Sequence, residues 1–180
     1  MKQKWFWIIG LIAIAAALGA IFFLDRIQAP GKQASSSGVG LEGYEGDLTP
    51  SFTVKQIDGT PISLSDYKGK VVLVDFWATW CPPCVESIPH LNEIATSYGP
   101  KGIAVIGLTV DRDLEPVPKF IKDHEIGYPI GVATPAEIEL FGGVSGIPTL
   151  IIIDRKQRVV AKLVGYQEPA VLKSLIDPLL

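Results

Sequence analysis

Hydrophobic and polar residues follow three different regimes along the chain. Residues 5–24 (WFWIIGLIAIAAALGAIFFL) carry no charge, and a helix of that length spans about 30 Å, the thickness of a bilayer's hydrocarbon core. Residues 26–45 (RIQAPGKQASSSGVGLEGYE) show neither a helical nor a strand period; their Gly, Ser and Ala content reads as a flexible tether with a reach of about 25 Å. From residue 46 onward the pattern becomes that of a folded domain. Residues 51–55 and 61–64 flank the turn dipeptide Asp58-Gly59 and predict a hairpin. Residues 71–77 (VVLVDFW) form an almost unbroken apolar, β-branched run, as in a strand covered on both faces. Val85, Ile88, Leu91, Ala95 and Tyr98 then recur at spacings of three and four, predicting a helix from Pro83 that stops at Gly99-Pro100. Pro89 inside it is expected to kink it. A second buried strand is predicted over 102–110, a helix over 117–124 and a short strand over 128–131. A helix over 136–141, closed by Gly142-Gly143, precedes strands over 149–154 and 158–164 and a last helix over 168–176. This alternation is α/β, with helices on both sides of a mixed sheet.

The apolar run at the start sets the expected topology. A cleaved signal would have a core of about 7–15 residues ending at a small-x-small site. Here Leu18-Gly19-Ala20 is followed by further apolar residues, and Ala29 is followed by Pro30. An uncleaved anchor is therefore expected, and no Cys near the N-terminus offers a lipid anchor. Lys2 and Lys4 precede the span, while Asp25 and Arg26 after it cancel, which keeps the N-terminus cytoplasmic. The expected organisation is a cytoplasmic N-terminus (1–4), a transmembrane anchor (5–24), a linker (25–45) and an extracytoplasmic domain (46–180), on the periplasmic side. The 180-residue chain has net charge −3. Without Lys2 and Lys4, 14 basic residues face 19 acidic ones. No basic field exists to gather phosphates, so nucleic acid is not an expected partner.

The chemistry concentrates in Trp80-Cys81-Pro82-Pro83-Cys84, where the first buried strand turns into a helix; Cys81 and Cys84 are the only cysteines. A purely structural staple is one reading, but closing so short a loop restrains the unfolded chain by only about 2 kcal/mol. Half a zinc site is another, and its other half would have to be His90 and His124, which belong to separate predicted helices. Haem attachment would need His after Cys84, where Val85 stands. A redox dithiol is the favoured reading. At a helix N-terminus, unpaired N–H groups and the macrodipole stabilise a Cys81 thiolate. Pro82 and Pro83 suit the first turn but donate no hydrogen bond to the sulfur, which tilts the couple towards a reductant. Asp75 lies six residues before Cys81 in an apolar run. Burial is expected to raise its pKa and make it the acceptor of the Cys84 proton, against the alternative of a strand-end carboxylate reaching solvent. Glu86 is a weaker candidate. His90 and His124 read as surface or boundary residues, and Asp58, Asp66 and Asp154 as turn and cap residues.

The segments LSDYKGK (64–70), VVLVDFWATWCPPC (71–84) and GIPT (146–149) followed by IIID together resemble the TlpA/ResA-like family of membrane-anchored thiol-disulfide oxidoreductases. The resemblance covers residues 48–176. It implies a thioredoxin fold with an N-terminal β-hairpin and an inserted αβ element, a nucleophilic Cys81, a resolving Cys84, and a cis peptide before Pro148 that faces the dithiol. Ile147 and Pro148 would then dock the substrate backbone, with Trp80 and Asp75 in support. The chain departs from that family in three places, one of them the turn after Asp154, where the common Gly is replaced by Gln157 or its neighbours. Members often carry Glu three residues after the second Cys, where Ser87 stands here; and Asp75 matches the buried Asp of thioredoxin, where some members have Asn. A peroxiredoxin-type Thr-x-x-Cys is absent, since Thr79 is only two residues before Cys81.

The implied reaction is exchange through a mixed disulfide, with no cofactor. Its clients would be disulfides of exported proteins such as apocytochrome c or copper-site cysteines. The predicted span holds no Cys, so a transmembrane electron donor is an expected partner. An oxidase that introduces disulfides shares every residue, and a non-catalytic binding module for cytochrome assembly remains an alternative of another class.

Overall fold

The computed structural model describes residues 48, 49 and 51–180. The predicted membrane span and tether lie outside the described residues, and among those described no helix is long and apolar enough to cross a membrane. Strands β1 (Thr53–Lys55) and β2 (Pro61–Ser63) pair antiparallel, with Val54 opposite Ile62. Asp58 closes the turn between them by accepting the Thr60 N–H at 2.9 Å. A 3₁₀ turn over Leu64–Tyr67 follows, begun by a capping box in which Ser63 and Asp66 satisfy each other's backbone.

The remaining strands form one sheet. They are β3 (Val71–Trp77), β4 (Ile103–Thr109), β5 (Ile130–Val132), β6 (Thr149–Ile153) and β7 (Val159–Val164), in the order β5-β4-β3-β6-β7. β3 is parallel to β4 and antiparallel to β6, so it is central and buried at every position, as its unbroken apolar run requires. Helix α1 (Pro82–Tyr98) connects β3 to β4 and continues as one helix through Pro89, where the sequence predicts a kink. Helices α2 (Val117–Asp123), α3 (Pro135–Leu140) and α4 (Pro169–Ile176) complete the layers.

Alternation along β3 sorts the core into two halves. Leu73 and Trp77 face a cluster with Leu91 and Ile94 of α1, Val117 of α2, and Leu172 and Ile176 of α4. Val72, Val74 and Phe76 face the other way, onto Val54, Ile62 and Phe141. Asp75 shares the parity of Leu73 and Trp77, so the fold aims a carboxyl at the α1 side of the sheet. The β1–β2 unit lies close against the edge strand: Ile57 N–H donates to Ile130 O at 3.1 Å, and a Cβ on Gly131 would meet Val54 Cγ2 at 2.6 Å. Glycine is what allows that approach. At the turn into β7, Gln157 takes a left-handed φ of 61° where glycine would be easiest; its side chain donates to Leu64 O at 3.0 Å and ties the turn to the 3₁₀ segment.

Candidate active site

The cysteines sit where the central strand ends. After Trp77 the chain turns through Ala78–Cys81, closed by the Cys81 N–H to Ala78 O bond at 3.2 Å, and enters α1. Cys81 is the N-cap of that helix, with extended backbone angles, and Pro82 and Pro83 fill the first two helical positions. Cys81 and Cys84 are joined as a disulfide, S–S 2.06 Å. Only 3% and 1% of the two residues is exposed, whereas the adjoining Trp80 is 67% exposed. The two prolines remove two of the backbone donors of the first turn, but not the third: Cys84 N–H donates to Cys81 Sγ at 3.3 Å. It is the one hydrogen bond to that sulfur among the described residues.

Asp75 is 2% exposed, and burial pushes its carboxyl up to about 7. Tyr128 is held well above the ordinary phenol range, first by its own burial and then by the Asp75 charge. The Asp75 carboxyl borders a cavity of about 10 Å³, roughly what one water needs. The same cavity is lined by Ser87, His90 and Leu91 of α1, by Pro148, and by Gln167. Cys84, Ser87 and Leu91 are spaced to share one helix face, so the cavity lies along α1 from Cys84. The structure thus brings Asp75 and Pro148 together. Their strand register is consistent with that: Asp75 is opposite Leu150 and Phe76 opposite Thr149, which puts Pro148 at the end of β3 that leads to the cysteines.

The Ile147–Pro148 peptide is cis. Pro148 O accepts from Gly165 N at 2.7 Å, and Thr149 Oγ1 donates to Gly146 O at 2.6 Å. Pro148 is buried and Ile147 half-buried, packed at the seam of the two cores. Glu86 is exposed on α1, and Ser87 donates back to Pro83 O at 3.1 Å. The two histidines are not brought together: His124 stacks on Phe120, centroids 4.1 Å apart, while His90 Nε2 is 3.0 Å from Tyr166 Oη. No group of three metal-binding side chains occurs among the described residues.

One residue of the site escapes sequence reasoning. Asp111, 8% exposed just past β4, accepts the Thr79 N–H at 2.9 Å and the Thr79 hydroxyl at 2.9 Å. It also accepts the Thr109 hydroxyl at 2.6 Å. The carboxylate thereby pins the turn that presents Trp80 and Cys81. A groove of about 310 Å³ runs beside it, lined by Thr79, Trp80, Asp111, Arg112 and Pro116. The available signal was positional: Thr109-Val110-Asp111 closes a parallel strand at its carboxyl end, where sites of α/β sheets form.

A parallel strand-helix-strand unit whose helix opens on Cys-Pro-Pro-Cys, next to a cis-proline entering an antiparallel strand, defines a thioredoxin-type dithiol protein. Comparison with known proteins agrees. The Redoxin family model matches residues 44–176. The thiol-disulfide oxidoreductase ResA of Bacillus thuringiensis subsp. konkukian is 35% identical over 122 residues, 68% of this chain and 70% of the relative. ResA of Bacillus subtilis is 30% identical over 133 residues, 74% of each chain. A crystal structure of a thiol:disulfide interchange protein from Chlorobium tepidum TLS superposes with a TM-score of 0.69 at 34% identity, over 73% of this chain and 94% of that one. The chain belongs to the Redoxin family and, within it, to the ResA-type thiol-disulfide oxidoreductases.

Proposed function

We propose that this oxidoreductase is a membrane-anchored, extracytoplasmic protein-disulfide reductase, with residues 1–4 cytoplasmic, 5–24 spanning the membrane, 25–45 as tether and 46–180 as the catalytic domain. In the reaction, the Cys81 thiolate attacks a disulfide of an exported protein and displaces one substrate thiolate. Cys84 then attacks Cys81 Sγ, releasing the second substrate thiolate and leaving the Cys81–Cys84 disulfide. Two electrons pass from the enzyme to the substrate. Asp75 accepts the Cys84 proton as that thiol attacks. Ile147 and Pro148 present the edge on which the substrate backbone docks, with exposed Trp80 adjoining the dithiol. A transmembrane electron donor re-reduces the pair. Apocytochrome c and copper-site cysteines are the client classes.

The observation that carries the reductase direction is the single N–H donated to Cys81 Sγ. A strongly oxidising dithiol owes its potential to a stabilised thiolate, and here two of the three first-turn positions are prolines without a donor. Trapping with alkylating agents in intact cells tests this. The account expects Cys81 and Cys84 mainly as thiols, and Cys84→Ser locked in mixed disulfides with exported cysteine proteins that Cys81→Ser does not form. A pair found mainly oxidised in cells that contain the donor would assign the opposite, disulfide-introducing direction.

A further inference from the structure

The Asp75 carboxyl is buried, so a proton it accepts as Cys84 attacks needs a defined route away from it. Its own element offers none: β3 is buried at all seven positions. The cavity beside it is walled mainly by Leu91, Pro148, Leu150 and Leu172, and His90 is the one side chain on that wall, besides Asp75, that carries an acid-base group. His90 is half-buried, with one side on the cavity. Its Nε2 is paired with Tyr166 Oη at 3.0 Å, and Tyr166, on the segment between β7 and α4, is also only half-buried. Asp75, His90 and Tyr166 therefore form a line from the sheet interior to the surface, with room for one water between the first two.

We propose that His90 is the proton relay that couples Asp75 to solvent, Tyr166 fixing its ring. This rests on the reading of Asp75 as the acceptor of the Cys84 proton. When Cys84 Sγ bonds to Cys81 Sγ and the substrate thiolate leaves, the Cys84 proton passes to Asp75. In the same step the proton moves on through the cavity to the unpaired nitrogen of His90, and the Nε2 side hands a proton by way of Tyr166 Oη to solvent, so the resolving attack goes forward only as fast as Asp75 is relieved of its proton. The charged and titratable groups around the relay come from α1, α4, the β7–α4 segment and β3. Glu86 and Glu93 lie on α1, Glu93 feeling the His90 charge and being paired with Lys173 of α4 at 2.9 Å. Glu168, like Glu86, acts on Tyr166 from the β7–α4 segment. Asp75 faces it from β3, with Tyr128 beyond; the β6 side contributes only Pro148 and Leu150.

The test is the rate of the resolving step in the full-length protein in detergent. The reduced enzyme is mixed with a peptide disulfide, and decay of the mixed disulfide is followed from pH 5.5 to 9. His90→Ala should slow it about 100-fold near pH 7, the low end of general acid-base effects, and added imidazole should restore most of the loss. His90→Gln, which keeps a hydrogen bond to Tyr166 but carries no proton, should be as slow as His90→Ala. Wild-type rates in both variants would overturn the relay, as would full activity in His90→Gln alone or a loss that imidazole does not rescue. Asp75→Asn separates the two readings. If it resolves at the wild-type rate, the reading of Asp75 fails and the relay with it; if it is slow while His90→Ala is not, only the relay fails.

Discussion

Replacing Asp75 by Asn exchanges a buried carboxyl for an amide of nearly the same shape that does not titrate. The carboxyl titrates at about 7 in the fold and at 3.8 in its unperturbed state, a difference of about 3 units. At 1.36 kcal/mol per unit this corresponds to about 4 kcal/mol. The folded pKa is raised, so the folded state holds its proton more tightly than the unfolded chain. The stabilisation is complete below about pH 4 and is lost as pH rises towards 7, at up to about 1.4 kcal/mol per pH unit; above 7 both states are ionised and the loss saturates. The Asp75→Asn variant lacks this dependence. Urea unfolding of the oxidised proteins, followed by tryptophan fluorescence from pH 4 to 8.5, reads the difference directly. Carboxylates lowered by their partners, such as Asp58 and Glu93, are common to both proteins and cancel. The variant should gain on the wild type by about 4 kcal/mol between pH 4 and pH 8. A difference that is flat with pH, or that grows as pH falls, would refute the reasoning that burial alone sets this group.

Further outcomes follow from the same geometry. Asp111→Ala strips the acceptor from the Thr79 N–H and from two threonine hydroxyls and should cost about 2–4 kcal/mol in urea unfolding. It should also slow formation of the mixed disulfide at Cys81 with little change in the reduction potential. Pro83→Ala returns an N–H to the second helical position, where it can reach the N-cap sulfur. One charge-assisted bond of about 1.5–3 kcal/mol would raise the potential by about 30–60 mV, measured against glutathione buffers. Arg155 donates to the carbonyls of Gly69, Lys101, Leu179 and Leu180. Arg155→Leu should therefore release the C-terminus, read as faster amide exchange in the last residues and a stability loss of about 1–3 kcal/mol.

How much of this is legible in the sequence depends on the range of the interaction. β3 and β4 were readable because strands covered on both faces need unbroken apolar runs, and α1 because its apolar residues recur every three to four positions. Caps and turns were readable too: Asp58, Asp66 and Asp154 hydrogen-bond within four residues of themselves. Asp75 stood out as a charge inside an apolar run. What stayed hidden was long-range. Asp111 reaches Thr79 across 32 positions and His90 reaches Tyr166 across 76; neither pair leaves a local period or turn signature. His90 therefore read as a boundary histidine, which its half-burial allows, without its place on the Asp75 cavity. α1 runs through Pro89 as one helix, with Ile88, Leu91 and Ile94 buried on either side of the proline.

Two prolines leave Cys81 with one backbone donor, and on the proposed reductase reading this keeps the dithiol reducing. The reduction potential of the Cys81–Cys84 couple, equilibrated against dithiothreitol or glutathione buffers in the full-length protein, tests it most directly. The expected value is near that of thioredoxin, about −270 mV, or below. A value near −120 mV, that of a strong disulfide donor, would contradict it and mean that the single Cys84 N–H and the helix terminus suffice to stabilise the thiolate.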